Sequence, residues 1–267
     1  MNDLAIKEPR KVYKILFDAA WSTMSTFGQT EGLQLGMIAI LHTWGQNLSL
    51  HPHLHCIVPG GGIQSNKKWK RKIKSDKYLF SVKALSKVFR AKYVAFLRKE
   101  KLGDIQLFDS LFQSNWVVYA KRPFGGPKQV IEYLGRYTHK VAISNHRLKN
   151  VTATQVTFQY KDYRSNGQNK QMVLTNQEFI RRFSLHILPK RFVRIRHYGI
   201  LSSSWKRGKL QDLQKQLKVK RKESKPKTKH RLCYCCKEGN LITLALFGDR
   251  GPPKTYLFKS ESKSPIN

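Results

Sequence analysis

The stretch HPHLHCIVPGGG, residues 51 to 62, constrains the fold of this chain more than any other segment. Its histidines recur at every second position and lead into an apolar run, and PGGG then provides a turn signal. Such alternation is typical of a β-strand, in which residues two apart point to the same face. We therefore expect a strand over His53 to Val58, with an antiparallel neighbour over the β-prone segment Met37 to Trp44.

The alternating histidines predict a metal site. On a strand, the side chains of His53 and His55 lie on one face about 6.5–7 Å apart, so two imidazoles can share one cation. Gln46, on or just after the adjacent strand, is predicted to add its amide oxygen as a third ligand. His51 is the competing ligand, although Pro52 disturbs the strand beside it. With oxygen ligands and a phosphate group completing the coordination, we expect Mg²⁺ or Mn²⁺.

A second pattern lies in the segment EYLGRYTHK. FGGP at residues 124–127 is expected to start a helix, with Pro127 in its first turn. Tyr133 and Tyr137 are four residues apart on that helix, so both hydroxyls project from one face. A tyrosine hydroxyl can attack a phosphodiester and conserve the energy of the broken bond as a phosphotyrosine. Lys140, one turn beyond Tyr137, could supply a nearby positive charge.

Either motif alone also has a structural explanation. The histidines of a half-exposed strand can simply be hydrogen-bonded to solvent, and two tyrosines on a helix face can be part of a core. The occurrence of both motifs in one strongly basic chain favours the catalytic interpretation.

The net charge of the chain predicts a polyanionic partner. Lys and Arg number 51 against 16 Asp and Glu, which leaves a formal charge of +35. No apolar run approaches the ~18 residues that a membrane span needs, so nucleic acid is favoured over a membrane. The N-terminal MNDLAIKEPRK lacks an apolar signal core, and the four cysteines do not suggest a secreted disulfide framework. We expect a cytoplasmic protein, and no nucleotide cofactor because GxxxxGK[ST] is missing from the sequence.

The mixture of elements indicates an α+β fold with a largely antiparallel sheet, because no regular βαβ repeat occurs. Amphipathic helices are expected over residues 12–27, 82–97 and 177–188, and further strands over residues 115–120, 141–144, 151–160, 172–175 and 191–198.

The composition changes after residue 205. Cations dominate from Lys206 to Arg231 and large apolar side chains are few, so we expect a folded domain over residues 1–205 and a basic, flexible or weakly helical tail over residues 206–267. Cys233 and Cys236 in the tail have C-x-x-C spacing. They are expected either to take part in a zinc site with further ligands or to be free thiols.

The two motifs together resemble those of the two-tyrosine HUH transposases of the insertion-sequence-91 family, which are rolling-circle elements, with a more distant likeness to Helitron transposases. The matching stretches are HTWGQNLSLHPHLHCIVPGGG and YLGRYTHKVAISNHRL, and the likeness continues through RFVRIRHYG. It covers roughly the first 205 residues.

The resemblance implies an HUH nuclease domain, an antiparallel sheet flanked by helices, that nicks single-stranded DNA at transposon ends and transfers strands through a 5′-phosphotyrosine. It carries metal binding onto His53 and His55, nucleophilic roles onto Tyr133 and Tyr137, and a supporting role onto Lys140. Family members usually carry a cysteine-rich zinc-binding module before the catalytic domain. Nothing like it precedes Lys7, so a truncated copy or an internal start is expected.

Three other classes of protein are alternatives for a chain with this basic composition. A non-catalytic nucleic-acid-binding protein is the main alternative, because charge predicts binding and not cleavage. A metal-free tyrosine recombinase could use Arg191, Arg194 and Arg196, but none of the nine histidines forms the HxxR element of that class. We interpret these arginines as DNA phosphate contacts or as a solvated strand face. A DDE-type transposase is disfavoured because the few carboxylates offer no convincing trio.

Overall fold

The computed structural model describes residues 1–72, 79–138, 142–219, 231–232, 235–238 and 240–241, without the side chains of residues 136–138, 164, 231–232 and 240–241. The chain divides into two compact units, Met1–Val219 and Lys220–Asn267. Helices occur together with antiparallel sheets, which confirms the predicted α+β class. The domain boundary after residue 205 stays a prediction.

The described elements are numbered in chain order. The helices are α1 (Asn2–Lys7), α2 (Pro9–Thr30), α3 (Val82–Lys99), α4 (Ile105–Gln113), α5 (Pro127–Thr138), α6 (Asn176–Ser184), α7 (Ser203–Lys206) and α8 (Lys209–Gln216). The strands are β1 (Gly36–Trp44), β2 (Leu50–Ile57), β3 (Gly61–Ile63), β4 (Trp69–Arg71), β5 (Leu148–Val151), β6 (Gln155–Asp162), β7 (Gln168–Thr175), β8 (Ile195–Gly199), β9 (Arg231–Leu232) and β10 (Asn240–Leu241).

A three-stranded sheet carries the candidate site, with the order β2-β1-β8 and two antiparallel pairs. β1 and β2 form the hairpin that the sequence predicts. In its register, Leu41 lies opposite Leu54 and His42 lies opposite His53. Since directly opposed residues point to the same face of a sheet, this register determines which side chains meet.

One face of this sheet packs against α2. Met37, Ala39 and Leu41 of β1 are buried in one apolar cluster with residues of α2 that recur at helical spacing, namely Val12, Ile15, Leu16, Phe17 and Ala19. α3 packs against α2 and adds Tyr93, Val94 and Leu97 to the same cluster. The helices thus cover one face and leave the other available for a site.

A second antiparallel sheet braces the turn between β1 and β2. Its strand order is β5-β6-β7, and Phe158 of β6 is fully buried together with Leu48 of that turn. Arg147 donates to the carbonyl oxygen of Gln46, and Nη1 of Arg182 lies 3.3 Å from the carbonyl oxygen of Asn47. These contacts fix the backbone from which β2 begins.

The prediction of a strand over residues 115–120 is wrong, because this segment has no regular secondary structure. Val117 and Tyr119 are 87% and 79% exposed, whereas Trp116 packs against Phe89 and Tyr93. β-prone side chains do not make a strand unless a neighbour completes the hydrogen-bond ladder.

Two other strand predictions also need correction. The strand expected over residues 151–160 is a hairpin, because residues 152–154 separate β5 from β6. The strand expected over residues 141–144 is missing at residues 142–144, and Val141 lies outside the described residues.

Part of the predicted basic tail is helical. α8 buries Leu213 together with Ile63 and Ile200 and packs Leu210 against the same cluster, but two leucines in an otherwise polar helix are a weak sequence signal. Among the helices of the described residues, none is long and apolar enough to cross a bilayer.

Candidate metal centre and active site

Three histidines meet on the sheet face opposite to α2. The register places His42 directly across from His53, and His55 follows two residues later on β2. Leu41, the neighbour of His42, is buried under α2, so the three imidazoles point away from that helix. Their ligand nitrogens all lie within 4.8 Å of one another. This cluster could hold a metal ion.

The geometry of the two β2 histidines fits a shared cation. Their Nε2 atoms are 3.2 Å apart, and Nδ1 of His53 lies 2.7 Å from the carbonyl oxygen of His51. Because a carbonyl only accepts, this Nδ1 carries the proton and Nε2 of His53 keeps its lone pair. Two nitrogens that each lie about 2.1 Å from one metal ion are about 3.0–3.4 Å apart at octahedral or tetrahedral angles.

Both β2 histidines are held in the neutral form. Burial lowers the pKa of His53 below its usual range. Burial together with the neighbouring His42, His53 and Lys121 lowers the pKa of His55 to about 3. Neutral imidazole is the form that binds metal, so at neutral pH neither side chain has to lose a proton first.

His42 is fixed by aromatic packing. It is 5% exposed, and its ring stacks on Trp44 with the centroids 4.5 Å apart and the planes at 17°. The guanidinium of Arg194 lies 5.1 Å from the centroid of the same indole. His42 also meets His55 at a centroid distance of 4.4 Å. This packing sets the orientation of the third imidazole.

The structure brings Tyr133, a predicted nucleophile, to the cluster. α5 begins at Pro127, as the sequence predicts, and Oη of Tyr133 lies 3.0 Å from Nδ1 of His55. The ammonium group of Lys121 lies 5.9 Å from the centroid of the tyrosine ring. Since Nε2 of His55 faces His53, its Nδ1–H can donate to the tyrosine oxygen while Nε2 remains available to a cation.

Other predicted site residues fall partly outside the described residues. Tyr137 follows one turn after Tyr133 on α5, but its side chain is not among those described. Lys140 and Cys233 lie outside the described residues altogether, and Cys236 is exposed. The roles of these residues stay predictions.

The third imidazole comes from His42, a residue that the sequence analysis did not single out. Gln46, the predicted third ligand, is exposed in the turn between β1 and β2, and its role stays a prediction. The hairpin register could have identified His42, because it places this residue directly opposite His53. However, the pairing is irregular between His42 and Trp44, and a slip of one residue would have placed Leu41 or Thr43 on this face instead.

The three predicted DNA-binding arginines lie in different surroundings. Arg194 contacts Trp44 beside the histidine cluster. Arg196 lies over the ring of Phe17 of α2, 4.2 Å from its centroid, and therefore on the other face of the sheet. Arg191 is exposed in the turn before β8, with a left-handed φ of 62°. Their contacts with DNA stay a prediction.

Comparison with known proteins identifies the family. The family described as "Putative transposase" matches residues 36–209, which is more than half of the chain and includes the three histidines and Tyr133. The chain belongs to this transposase family. Membership implies a DNA-processing enzyme with DNA as its partner.

Two transposase relatives support this assignment. "Putative transposase y4qJ" of Sinorhizobium fredii (strain NBRC 101917 / NGR234) is 38% identical over 289 residues, which cover 95% of this chain and 72% of the relative. "Transposase for insertion sequence element IS801" of Pseudomonas savastanoi pv. phaseolicola is 26% identical over 205 residues, which cover 70% of this chain. The chain spans 48% of that second relative's length. No solved structure is significantly similar to this transposase.

Proposed function

We propose that this transposase nicks single-stranded DNA at transposon ends and transfers the strand through a 5′-phosphotyrosine, in metal-dependent rolling-circle transposition. The observation that carries the proposal is the 3.0 Å contact between Oη of Tyr133 and Nδ1 of His55, which is one of the three clustered imidazoles. A nucleophile and a metal site in direct contact are the parts that such a reaction needs.

In the proposed cleavage step, Oη of Tyr133 attacks the phosphorus of a DNA phosphodiester. A bond from Tyr133 Oη to phosphorus forms, the bond from phosphorus to the 3′ oxygen breaks, and the proton lost by the phenol is balanced by one gained at the 3′ oxygen. The products are a 5′-phosphotyrosine and a free 3′ hydroxyl. Donation from His55 Nδ1–H stabilises the negative charge that develops on the tyrosine oxygen.

His42, His53 and His55 are the residues that would hold the cation, and a cation bound there would polarise the non-bridging oxygens of the scissile phosphate. Mg²⁺ and Mn²⁺ are both candidates. Because all three protein donors are imidazole nitrogens, Mn²⁺ suits this set better than the harder Mg²⁺.

We propose Tyr137 as the second nucleophile. Its position one turn after Tyr133 on α5 would allow two covalent links to be made in sequence at one metal site. Lys140 is the proposed source of positive charge for the phosphate or the leaving strand. Arg191, Arg194 and Arg196 are proposed to hold DNA phosphates, as the charge of +35 favours.

The test is cleavage of labelled single-stranded DNA from the element ends, with Mn²⁺ and with EDTA. We expect metal-dependent nicking and a protein–DNA adduct that resists denaturation. DNA binding without any nicking or adduct would instead favour the non-catalytic nucleic-acid-binding alternative.

A further inference from the structure

A cleft separate from the histidine cluster lies between α2 and the segment that enters β8. Its volume is about 610 Å³, and its wall includes Arg10 and Lys14 of α2 on one side and Arg191 and Arg196 on the other. The cleft is open to solvent, so an extended ligand can enter it without displacing core residues.

The cleft and the metal centre lie on opposite sides of the central sheet. Arg196 pairs with Ala39, whose side chain is buried under α2, whereas His42 points to the other face. The guanidinium of Arg196 over the ring of Phe17 agrees with this placement. A ligand in the cleft therefore cannot reach the histidine cluster, except around the sheet edge formed by β8.

The cleft is built to attract anions. Asp18 is the acidic residue of its wall, and Lys14 already pairs with that carboxylate at 2.6 Å. Nη2 of Arg10 donates to the carbonyl oxygen of Lys190 at 2.7 Å, which holds the side chain at the rim. The guanidinium of Arg196 lies over the ring of Phe17 and also contacts the ring of Phe192, at 4.2 and 5.2 Å from the two centroids, so it is oriented in advance. Guanidinium groups in fixed positions bind phosphate oxygens well.

We infer that this cleft is a second DNA-binding site, which holds phosphates of single-stranded DNA away from the strand position that is cleaved. The inference rests on the proposed function for its choice of DNA as the ligand. Arg194 lies beside Trp44 at the cluster, and Arg196 lies in the cleft, so the two arginines mark a path for a strand that passes over the β8 edge. A DNA strand that contacts both sides of the sheet would be held in the cleft on one side and cleaved at the histidine cluster on the other.

The experiment measures binding of a long oligothymidine to the full chain in EDTA by fluorescence anisotropy, over a series of salt concentrations. The cleft variant is the double substitution Arg10→Gln and Arg191→Gln. Loss of two phosphate contacts should reduce the slope of log affinity against log salt by about 1.4, at about 0.7 per contact on a single strand. Thermal unfolding of each variant checks the fold. The single Arg191→Gln variant leaves the Arg10 contact intact, so its salt slope should fall by about half as much.

The matched control is Lys83→Gln with Lys87→Gln, two exposed lysines of α3 that are not in the cleft wall. This variant removes the same amount of charge, but from a surface outside the cleft. It should therefore reduce the salt slope clearly less than the cleft variant does. Equal changes in both variants, or no change in the cleft variant, would overturn the inference. Because the assay contains neither metal nor cleavage, a failure of the proposed nicking reaction would not alter its outcome.

Discussion

At the scale of single residues, each imidazole of the cluster has a partner outside the cluster. The carbonyl oxygen of His51 contacts His53, the tyrosine oxygen of Tyr133 contacts His55, and the indole of Trp44 stacks on His42. Such partners orient metal ligands, and the two hydrogen-bond partners also fix the tautomers of His53 and His55. His42 should therefore matter as much as the two histidines of the HPHLH motif.

His42→Ala should weaken Mn²⁺ binding by more than about 100-fold, because groups that merely orient a metal ligand already contribute about 10- to 100-fold. Isothermal titration calorimetry measures the affinity. Gln46→Ala, an exposed position in the same hairpin, is the matched control and should change the affinity little. A loss in Gln46→Ala as large as that in His42→Ala would instead support Gln46, the ligand predicted from the sequence.

His186 should make the stability of the metal-free protein depend on pH. It is 2% exposed, with Nδ1 3.3 Å from Oγ1 of Thr43 and Nε2 3.2 Å from the carbonyl oxygen of Leu48. Burial lowers its pKa. The unfolded chain takes up a proton at this histidine near pH 6.5, before the folded protein does, so the free energy of unfolding falls as the pH falls below about 6.5.

Urea denaturation of the wild type and of His186→Gln, at about pH 7 and about pH 5 in EDTA, measures this contribution. The wild type should lose more stability on acidification than the variant does. The same pH dependence in both proteins would show that His186 titrates alike in the folded and unfolded states.

How much of the site could be predicted depends on the range of the interactions that form it. His53, His55 and Tyr133 each belong to a local pattern, an alternation or a helical spacing, that is visible within a few residues of sequence. His42 joins them only through the cross-strand register, and the irregularity near Trp44 that sets the register is not visible in the sequence.

At the scale of elements, the sequence predicts the helices that bury their own apolar stripe and the β1–β2 hairpin, but it does not predict that a lone β-prone segment stays irregular. α2 and α3 carry apolar residues at helical spacing, so their positions were predicted from the sequence. Residues 115–120 have equally clear β-propensity but no partner strand among the described residues. The β-propensity of a segment does not indicate whether another strand is free to pair with it.

The end of β8 depends on a close approach that only glycine permits. Gly199 has a left-handed φ of 55°, and a Cβ there would lie 1.9 Å from the carbonyl oxygen of Leu35 and 2.7 Å from the ring of Trp21. Gly199→Ala should therefore destabilise the protein by about 3 kcal/mol or more, through backbone strain and displacement of β8.

Gly32→Ala is the matched control. Gly32 also has a left-handed φ of 65°, but a Cβ at this position would meet no heavy atom within 4 Å beyond its chain neighbours. The substitution should cost only the conformational strain, about 1 kcal/mol. Urea denaturation gives both values. Equal losses in the two variants would mean that the contact of Gly199 with Leu35 has no energetic role.

At the scale of the whole molecule, the charge of +35 should make DNA binding strongly dependent on salt. Seven Lys and Arg residues lie between residues 220 and 231, in the second compact unit. A chain that ends at Val219 should bind single-stranded DNA more weakly at low salt and with a smaller salt slope than the full chain. Anisotropy titrations measure both, circular dichroism checks the fold, and an unchanged slope would exclude a contribution of this segment.

Tyr133 and Tyr137 are proposed to make the covalent link to DNA beside the histidine cluster. The most direct test is to trap adducts on a labelled single strand with Mn²⁺ and to identify the modified residue by peptide mass spectrometry. We expect the 5′ phosphate on Tyr133 or Tyr137, a remaining adduct in each single Phe variant, and none in the double Phe variant or in His53→Ala. An adduct on a third residue, such as Tyr198, or one that persists in the double Phe variant, would contradict the claim.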